Sequence, residues 1–458
     1  MKKLLLFFVL FPFISFSQII KGTIFSPNKL PIENTNVFAV SSKTGTITNI
    51  RGEFSINILS KYKDNEIIEF SHLGYVTKRI SLKYLIKNNY TIFLEEEVQN
   101  LSEVRIPKNQ KLKVKLDFQQ LNSMKSPISA FGSFLKDDKI YVEGGDGSYI
   151  TDLFKKYRTE RADADLFNFL KYGNDASVEF FRRDLCIYDL KTDTWEKQKL
   201  PLKKRAYHNI HNYDNSIYII GGKEIKLSII ATTWEYIHDK IEVVNLNDQT
   251  IQVDNTNPHQ AANFASFIYK DNIIVMGGYL RTADNGVKDF TSKIHLYNIT
   301  SGYWYEFGNL PTPRETTGVL INDHIYLIGG NDGKPIAKIQ SFDLETKIWQ
   351  TEAELFSALE RPAITNHNNI IYFFEDQKMY TYDIKTKQLK EYEIELGLKY
   401  SAMYYYNDKL YILGGRTENE YSKISSSKVF SIDIEEFKNT TPTRVKTFTQ
   451  EINLAKVN

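Results

Sequence analysis

From Ile19 onward apolar residues fall in short runs broken by turn-forming residues, and this pattern predicts strands. Ile19–Phe25, Asn36–Ser41, Gly52–Ile58, Glu66–Ser71 and Tyr90–Leu94 are separated by Ser26-Pro27-Asn28, Thr44-Gly45 and Lys63-Asp64-Asn65, the spacing of a small antiparallel sandwich. Further along, one hairpin is written six times: an apolar strand, an Asp or Asn turn, then a strand with Tyr or Ile three residues before Gly-Gly. The copies run from Asp138 to Gly144-Gly145, Asn215 to Gly221-Gly222, Asp271 to Gly277-Gly278, Asp323 to Gly329-Gly330, Asn369 to Glu375-Asp376 and Asp408 to Gly414-Gly415. A strand repeat of this length is a propeller blade. The expected fold class is therefore all-β: a small sandwich, then a six-bladed propeller.

A second signature follows each hairpin. An aromatic-rich strand ends in Asp or Asn, and six residues later stands Trp or another apolar residue: Asp189 and Trp195, Asn245 and Ile251, Asn298 and Trp304, Asp343 and Trp349, Asp383 and Leu389. The double glycine, the Tyr-Asp pair and the Trp together resemble the kelch repeat over roughly residues 113–435. The fifth copy departs, with Glu375-Asp376 in place of glycines, and the second lacks its Trp. Because the sixth copy, around Val429–Asp433, has no fourth strand after it, residues 113–120 are expected to supply that strand and close the ring.

The first strand-rich segment carries Lys21-Gly22-Thr23-Ile24, Leu30-Pro31-Ile32, Thr46-Ile47-Thr48-Asn49 with Arg51-Gly52-Glu53-Phe54, His72-Leu73-Gly74-Tyr75 and Leu101-Ser102-Glu103-Val104. In that order these motifs resemble the carboxypeptidase regulatory-like domain, which implies a structural or docking module. No peptidase is expected, because the sequence has no H-E-x-x-H and no His followed three positions later by Glu.

Before both lies Met1-Lys2-Lys3, an apolar run from Leu4 to Ile14 and Ser15-Phe16-Ser17, read as a signal peptide cut before Gln18. The expected division is thus 1–17 signal peptide, 18–106 sandwich, 107–112 linker, 113–437 propeller and 438–458 tail. Localisation is expected to be exported: periplasmic, or associated with the outer membrane or extracellular. The 29 Tyr and 29 Phe agree with a β-rich chain. The formal charge of +2 includes Lys2 and Lys3, so the mature chain is neutral and carries no nucleic-acid footprint. The single Cys186 excludes an intramolecular disulfide.

Kelch propellers use one mouth of the central channel, and the resemblance implies a ligand site on the segments entering each innermost strand. Those segments carry Lys125, Arg205, His259, Arg314, Arg361 and Lys399, with Glu360 beside them. Converging cations would attract an anion such as a carboxylated sugar or an acidic peptide. The competing reading makes some of these arginines staples between blades. A copper radical oxidase would need a Tyr cross-linked to Cys beside two His, and Cys186 lies instead in an interior strand. A cofactor-free mutarotase acting on an acidic sugar would need only an acid and a base, for which Glu360, His259 and Arg314 are the candidates. His208 and His211 point to opposite faces of a strand and share no ion. The acidic loops Asp163-Ala164-Asp165 and Asn331-Asp332-Gly333 read as solvated turns.

The insertion Ser148–Asp184 has helix-like spacing at Asp152–Tyr157 and Asp165–Tyr172 and predicts a helical flap. With the long loops around Trp234 and Tyr279 it would build an aromatic rim on one face. The sequence therefore favours an exported, non-catalytic binding protein with a carbohydrate or protein ligand at the propeller mouth. A cell-envelope partner is expected for the sandwich, and no metal or cofactor.

Overall fold

In the computed structural model the chain divides into two units, Met1–Gln110 and Lys111–Asn458. The structure describes residues 17–59, 65–72, 74–96, 112–160, 177–227, 233–283 and 286–448. The segment read as a signal peptide up to Phe16, most of the linker and Asp165–Tyr172 lie outside them. Among the described residues no helix is long and apolar enough to cross a membrane.

The first unit is a two-sheet sandwich. One sheet places Ser17–Phe25 between Glu53–Leu59 and Thr91–Phe93; the other runs Thr44–Ile47, Asn36–Ala39, Ile67–Ser71, Lys78–Ser81. Alternation along these strands sends Ile20, Ile24, Val37, Phe54, Ile56, Ile68 and Phe70 into one core. Two features depart from the antiparallel expectation. Thr91–Phe93 pairs parallel to Thr23–Phe25, and Thr44-Gly45, read as a turn, opens the edge strand Thr44–Ile47. The short helix Leu82–Lys87 makes the parallel return possible; Ser81 Oγ caps it by accepting from the Tyr84 N–H at 3.3 Å.

The second unit repeats a four-stranded antiparallel sheet. The first sheet is Gly132–Lys136, Lys139–Glu143, Leu185–Asp189 and Thr194–Gln198. Four more follow in chain order, with innermost strands Asn209–Tyr213, Ala265–Tyr269, Gly318–Ile321 and Ala363–His367. The sixth begins at Ala402–Tyr406 and takes its outer strand, Gln119–Leu121, from the start of the unit. Between third and fourth strands the Asp of the repeat makes the turn: Asp189 Oδ1 accepts from the N–H groups of Lys191 and Thr192, and Asp343 and Asp383 repeat this. The Trp six residues on reaches the neighbouring sheet. Trp349 Nε1 donates to Asn309 O, and Trp195 Nε1 to Asn122 O, both at 3.0 Å.

The double glycine has a ring-wide role. Each second residue of the pair donates its N–H to the segment entering the next sheet: Gly145 to Arg205 O, Gly222 to Ala261 O, Gly278 to Arg314 O, Gly330 to Leu359 O, Asp376 to Leu398 O and Gly415 to Ile128 O, at 2.7–3.0 Å. The last returns to the first sheet, so the hydrogen-bonded circuit closes. Both glycines sit at positive φ, and a Cβ on Gly278 would lie 2.7 Å from Ala262 O and 2.9 Å from Phe264 Cβ. We expect Gly278→Ala to cost about 2–4 kcal/mol in urea denaturation, from left-handed strain and overpacking together. Gly286→Ala, also at positive φ but in open space, should cost only about 1–2 kcal/mol.

The fifth sheet explains its missing glycines. Its second and third strands join through Asp376-Gln377, both at positive φ, and the Glu375 carboxylate accepts from the N–H groups of Glu360 and Arg361. The side chain replaces the corner that glycine makes elsewhere.

Two boundary readings need correction. Residues 113–120 do not form one strand: Lys115–Leu116 pairs parallel with Glu393–Ile394 of the fifth sheet, and only Gln119–Leu121 pairs with the sixth. The propeller also does not end at 437. Arg444–Thr447 adds an antiparallel strand to the outer edge of the fifth sheet, and Arg444 pairs with the buried Glu391 at 2.6 Å. Lys113 and the Asn439–Thr441 segment exchange backbone hydrogen bonds of 2.9 Å, so the two ends of the unit are tied together.

Candidate functional site

The carbonyl that receives each ring hydrogen bond fixes a common register for the entry segments. The residue after it bridges to the chain just beyond the Gly pair, as in Ala206 with Lys223, Ala262 with Tyr279, Glu315 with Asn331 and Lys399 with Arg416. The residue after that points round the axis: Ala130, Tyr207, Asn263, Thr316, Arg361 and Tyr400 occupy equivalent positions. Their backbones are linked, Ala130 N–H to Tyr400 O, Tyr207 N–H to Ala130 O, Asn263 N–H to Tyr207 O and Thr316 N–H to Asn263 O, at 2.7–3.3 Å.

Above this collar stand the connections between second and third strands. The second sheet contributes the hairpin Lys223–Leu227 with Thr233–Ile237, the third Tyr279–Thr282 with Lys288–Phe290. The sixth contributes Arg416–Glu418 with Ser422–Ser425, to which Tyr149–Thr151 of the first sheet's insertion adds a third strand. The helix Leu153–Glu160 follows in that insertion. The hairpins and the strand Tyr149–Thr151, but not this helix, line a cavity of about 410 Å³.

Its walls are aromatic and charged at once. Phe181, Tyr207, Tyr279 and Tyr400 supply rings; Lys223, Lys288 and Arg416 lie over them. Arg416 Cζ is 4.1 Å from the Tyr400 ring centroid, its Nη1 donates to Tyr207 Oη at 3.0 Å, and its Nε and Nη2 reach Glu418 at 2.6 Å. Burial works against the Arg416 charge, but Tyr207, Tyr400 and Glu418 outweigh it and hold the guanidinium above its ordinary range. Lys223 pairs with Glu235, and Lys288 with the buried Glu315 at 2.6 Å. Burial pushes the Tyr207 phenol up to about 12 and raises those of Tyr279 and Tyr400, so all three stay protonated at neutral pH.

The seven residues expected from sequence occupy different registers. Glu360 lines the cavity and accepts from Asn331 Nδ2 at 3.1 Å. Arg361 stands in the collar at the position before that of Tyr400, and Lys399 pairs with Glu418 at 3.4 Å. Arg205 and Arg314 are on the carbonyl position, 1% and 2% exposed, turned into the protein; Arg205 is paired with Glu242. His259 is buried, hydrogen-bonded to Gly277 O at 2.8 Å and to His295 Nδ1 at 2.9 Å. Lys125 lines a separate pocket of about 110 Å³ with Cys186 and Lys197. The converging cationic mouth is thereby replaced by a charge-balanced aromatic one, because entry segments differing by one residue in register present opposite faces.

The acid–base trio is not assembled either: of Glu360, His259 and Arg314, only Glu360 reaches the cavity. His208 and His211 separate as expected, His208 Nε2 lying 2.6 Å from Glu143 Oε2 and His211 Nε2 2.7 Å from Ser266 Oγ. Cys186 is half-buried, and burial raises its thiol.

Sequence reasoning missed Tyr207, Asn263 and Tyr400. A usable signal existed: Ala130, Tyr207, Asn263, Arg361 and Tyr400 each stand 11 residues before the Tyr or Ile that precedes the Gly pair, and Thr316 stands 10 before.

Comparison with known proteins agrees with this architecture. The KLHDC2/KLHL20/DRC7 Kelch-repeats domain matches residues 169–375, and the CarboxypepD_reg-like domain matches residues 20–106. Kelch-like protein 36 of Bos taurus is 26% identical over 147 residues, 32% of this chain and 22% of that protein. Kelch repeat protein M-T8 of Myxoma virus is 25% identical over 243 residues, 51% of this chain and 36% of that protein. The chain thus spans well under half the length of these curated relatives. The solved structure of YjhT aligns with a TM-score of 0.51 at 13% identity, over 67% of this chain and 95% of that one. The chain therefore carries a CarboxypepD_reg-like domain at its N-terminus and, following it, a kelch-repeat β-propeller.

Proposed function

We propose that this is an exported binding protein whose propeller mouth holds a polar ligand, a carbohydrate or side chains of a protein partner, without turnover. The observation that carries this is the cavity at the loop-bearing end, where three tyrosines and Phe181 are overlaid by ion-paired cations. Its volume falls within the range of small-ligand sites, and its rings and fixed donors supply stacking surface and direction together. Kelch propellers are typical interaction domains, which supports binding as the task. The sandwich would dock or space the propeller in the periplasm or at the outer membrane, and the apolar run Leu4–Ile14 after two lysines supports export.

A glycan array and titration calorimetry with the mature chain test this. Arg416→Ala should weaken a ligand found on the array at least tenfold, since Arg416 organises Tyr207, Tyr400 and Glu418 together. Ligand binding that survives this change with full affinity would place the site elsewhere.

A further inference from the structure

A second concavity, apart from the mouth, lies where the ring of sheets closes. Residues 124–128, which lead into the first sheet, are held to the sixth: the Met124 N–H donates to Ser427 O at 2.8 Å, the Ile128 N–H to Ser426 O at 3.1 Å and the Gly415 N–H to Ile128 O at 3.0 Å. Between this segment and the first sheet is the pocket of about 110 Å³. Register builds its floor. Val142 pairs with Cys186, and Cys186 with Lys197, so the three stand in one row across the second, third and fourth strands and share a face. Met124, Ile128 and Val142 are buried there, and Cys186 is half-buried beside them.

The rim of this pocket is cationic. Lys125, Arg182 and Lys197 stand against a single carboxylate, Asp184, which Lys197 already holds at 2.8 Å. Among the described residues Lys125 and Arg182 have no carboxylate partner; Arg182 rests on the Phe180 ring, its Cζ 5.4 Å from the centroid. At the mouth, by contrast, Lys223, Lys288 and Arg416 are each paired with a glutamate. Burial raises the Cys186 thiol most, and the charges acting on it next are Asp184 upward and Lys197, Lys125 and Arg182 downward, so all four lie around the floor. An uncompensated cationic rim attracts an anion, and the apolar floor decides which. Phosphate or sulfate would give up hydration against Met124, Ile128 and Val142 and meet no donor there. An aliphatic carboxylate satisfies both parts, with its tail on the floor and its head between Lys125 and Arg182. We infer that this pocket is a second ligand site, taking the carboxylate end of a short aliphatic chain. A free acid and the C-terminal residue of a peptide both present that chemistry. The site is independent of the mouth, because none of its residues lines that cavity.

Cys186 is the only cysteine of the chain, so its labelling reports on this pocket alone. Its rate of reaction with an uncharged methanethiosulfonate is measured at fixed pH with butyrate, butyramide and inorganic phosphate, and with a valine-terminated peptide carrying a free or an amidated C-terminus. Butyrate or the free-carboxylate peptide should slow labelling at least fivefold at saturation, with half-protection at millimolar concentration and weaker protection at high salt. Protection by only one of the two identifies the source of the carboxylate. Lys125→Met should weaken protection about threefold and Lys125→Met/Arg182→Met about tenfold, with unchanged melting behaviour. The single variant removes an exposed side chain without an ion pair, so it reads the rim even where the double variant unfolds. Equal protection by butyramide or the amidated peptide would show that apolar filling alone decides, and equal protection by phosphate that charge alone does. Either result would overturn the inference, as would labelling that neither carboxylate slows or protection that Lys125→Met leaves unchanged.

Discussion

Glu242→Leu should destabilise the propeller by about 3–5 kcal/mol, whereas the double variant Arg205→Met/Glu242→Leu should recover most of that loss. Arg205 and Glu242 are 1% and 3% exposed and form an ion pair, with Arg205 Nη1 also directed at Gly221 O at 3.4 Å. Removing the carboxylate strands a guanidinium in the interior, where desolvation is no longer compensated. Removing both charges leaves an apolar contact of similar volume. Urea denaturation of the parent, the single and the double variant measures this. A double variant as unstable as Glu242→Leu would show that packing at Arg205, not its charge, is what the site needs. Ligand affinity should be unchanged in the double variant, because Arg205 does not line the cavity.

That pair also shows where sequence reasoning reached its limit. The kelch spacing placed Arg205 correctly on the segment entering the second sheet, and the alternation of strands was visible throughout. Which way a residue on that segment points is decided by one position of register, and the register is set by the hydrogen bond from Gly145 across to Arg205 O. No local pattern records a bond to a residue 60 positions away. Tyr207, two residues on, faces the cavity; Arg205 faces Glu242.

The C-terminal strand was hidden for a different reason. Arg444–Thr447 is exposed along its whole length, so it lacks the apolar alternation that announces a half-buried strand. It forms because the outer strand of the fifth sheet, Gln388–Ile394, has a free edge and because the buried Glu391 needs a cation, which Arg444 provides. The Gly pairs, by contrast, were legible, since only glycine tolerates both the positive φ and the close carbonyl at that corner. Even the exception was informative: Glu375-Asp376 marks the one sheet whose corner is a two-residue turn with a carboxylate behind it.

Acidification should loosen this propeller well before its surface carboxylates titrate. Burial holds His259 and His211 at about 4 and His238 at about 3, against about 6.5 in an unfolded chain. Between those values the unfolded chain binds protons that the folded one refuses, so stability is full above pH 6.5 and falls as pH drops. Each of the three should withdraw about 2 kcal/mol between pH 7 and pH 5. Glu315 and Glu375, whose carboxyls burial pushes up, act in the opposite sense and offset part of the loss. His259 is the most consequential. As a neutral ring it donates Nε2–H to Gly277 O and accepts at Nδ1 from His295, and a second proton would set two N–H groups against each other. The adjoining Gly278 carries the ring bond to Arg314, so the joint between third and fourth sheets should open first. His259→Gln, which keeps a donor for Gly277 O, should be less stable at pH 7.5 but lose about 2 kcal/mol less than the parent on going to pH 5, read from urea midpoints at both pH values. An unchanged pH dependence would assign the acid sensitivity to other groups and leave His259 as packing alone.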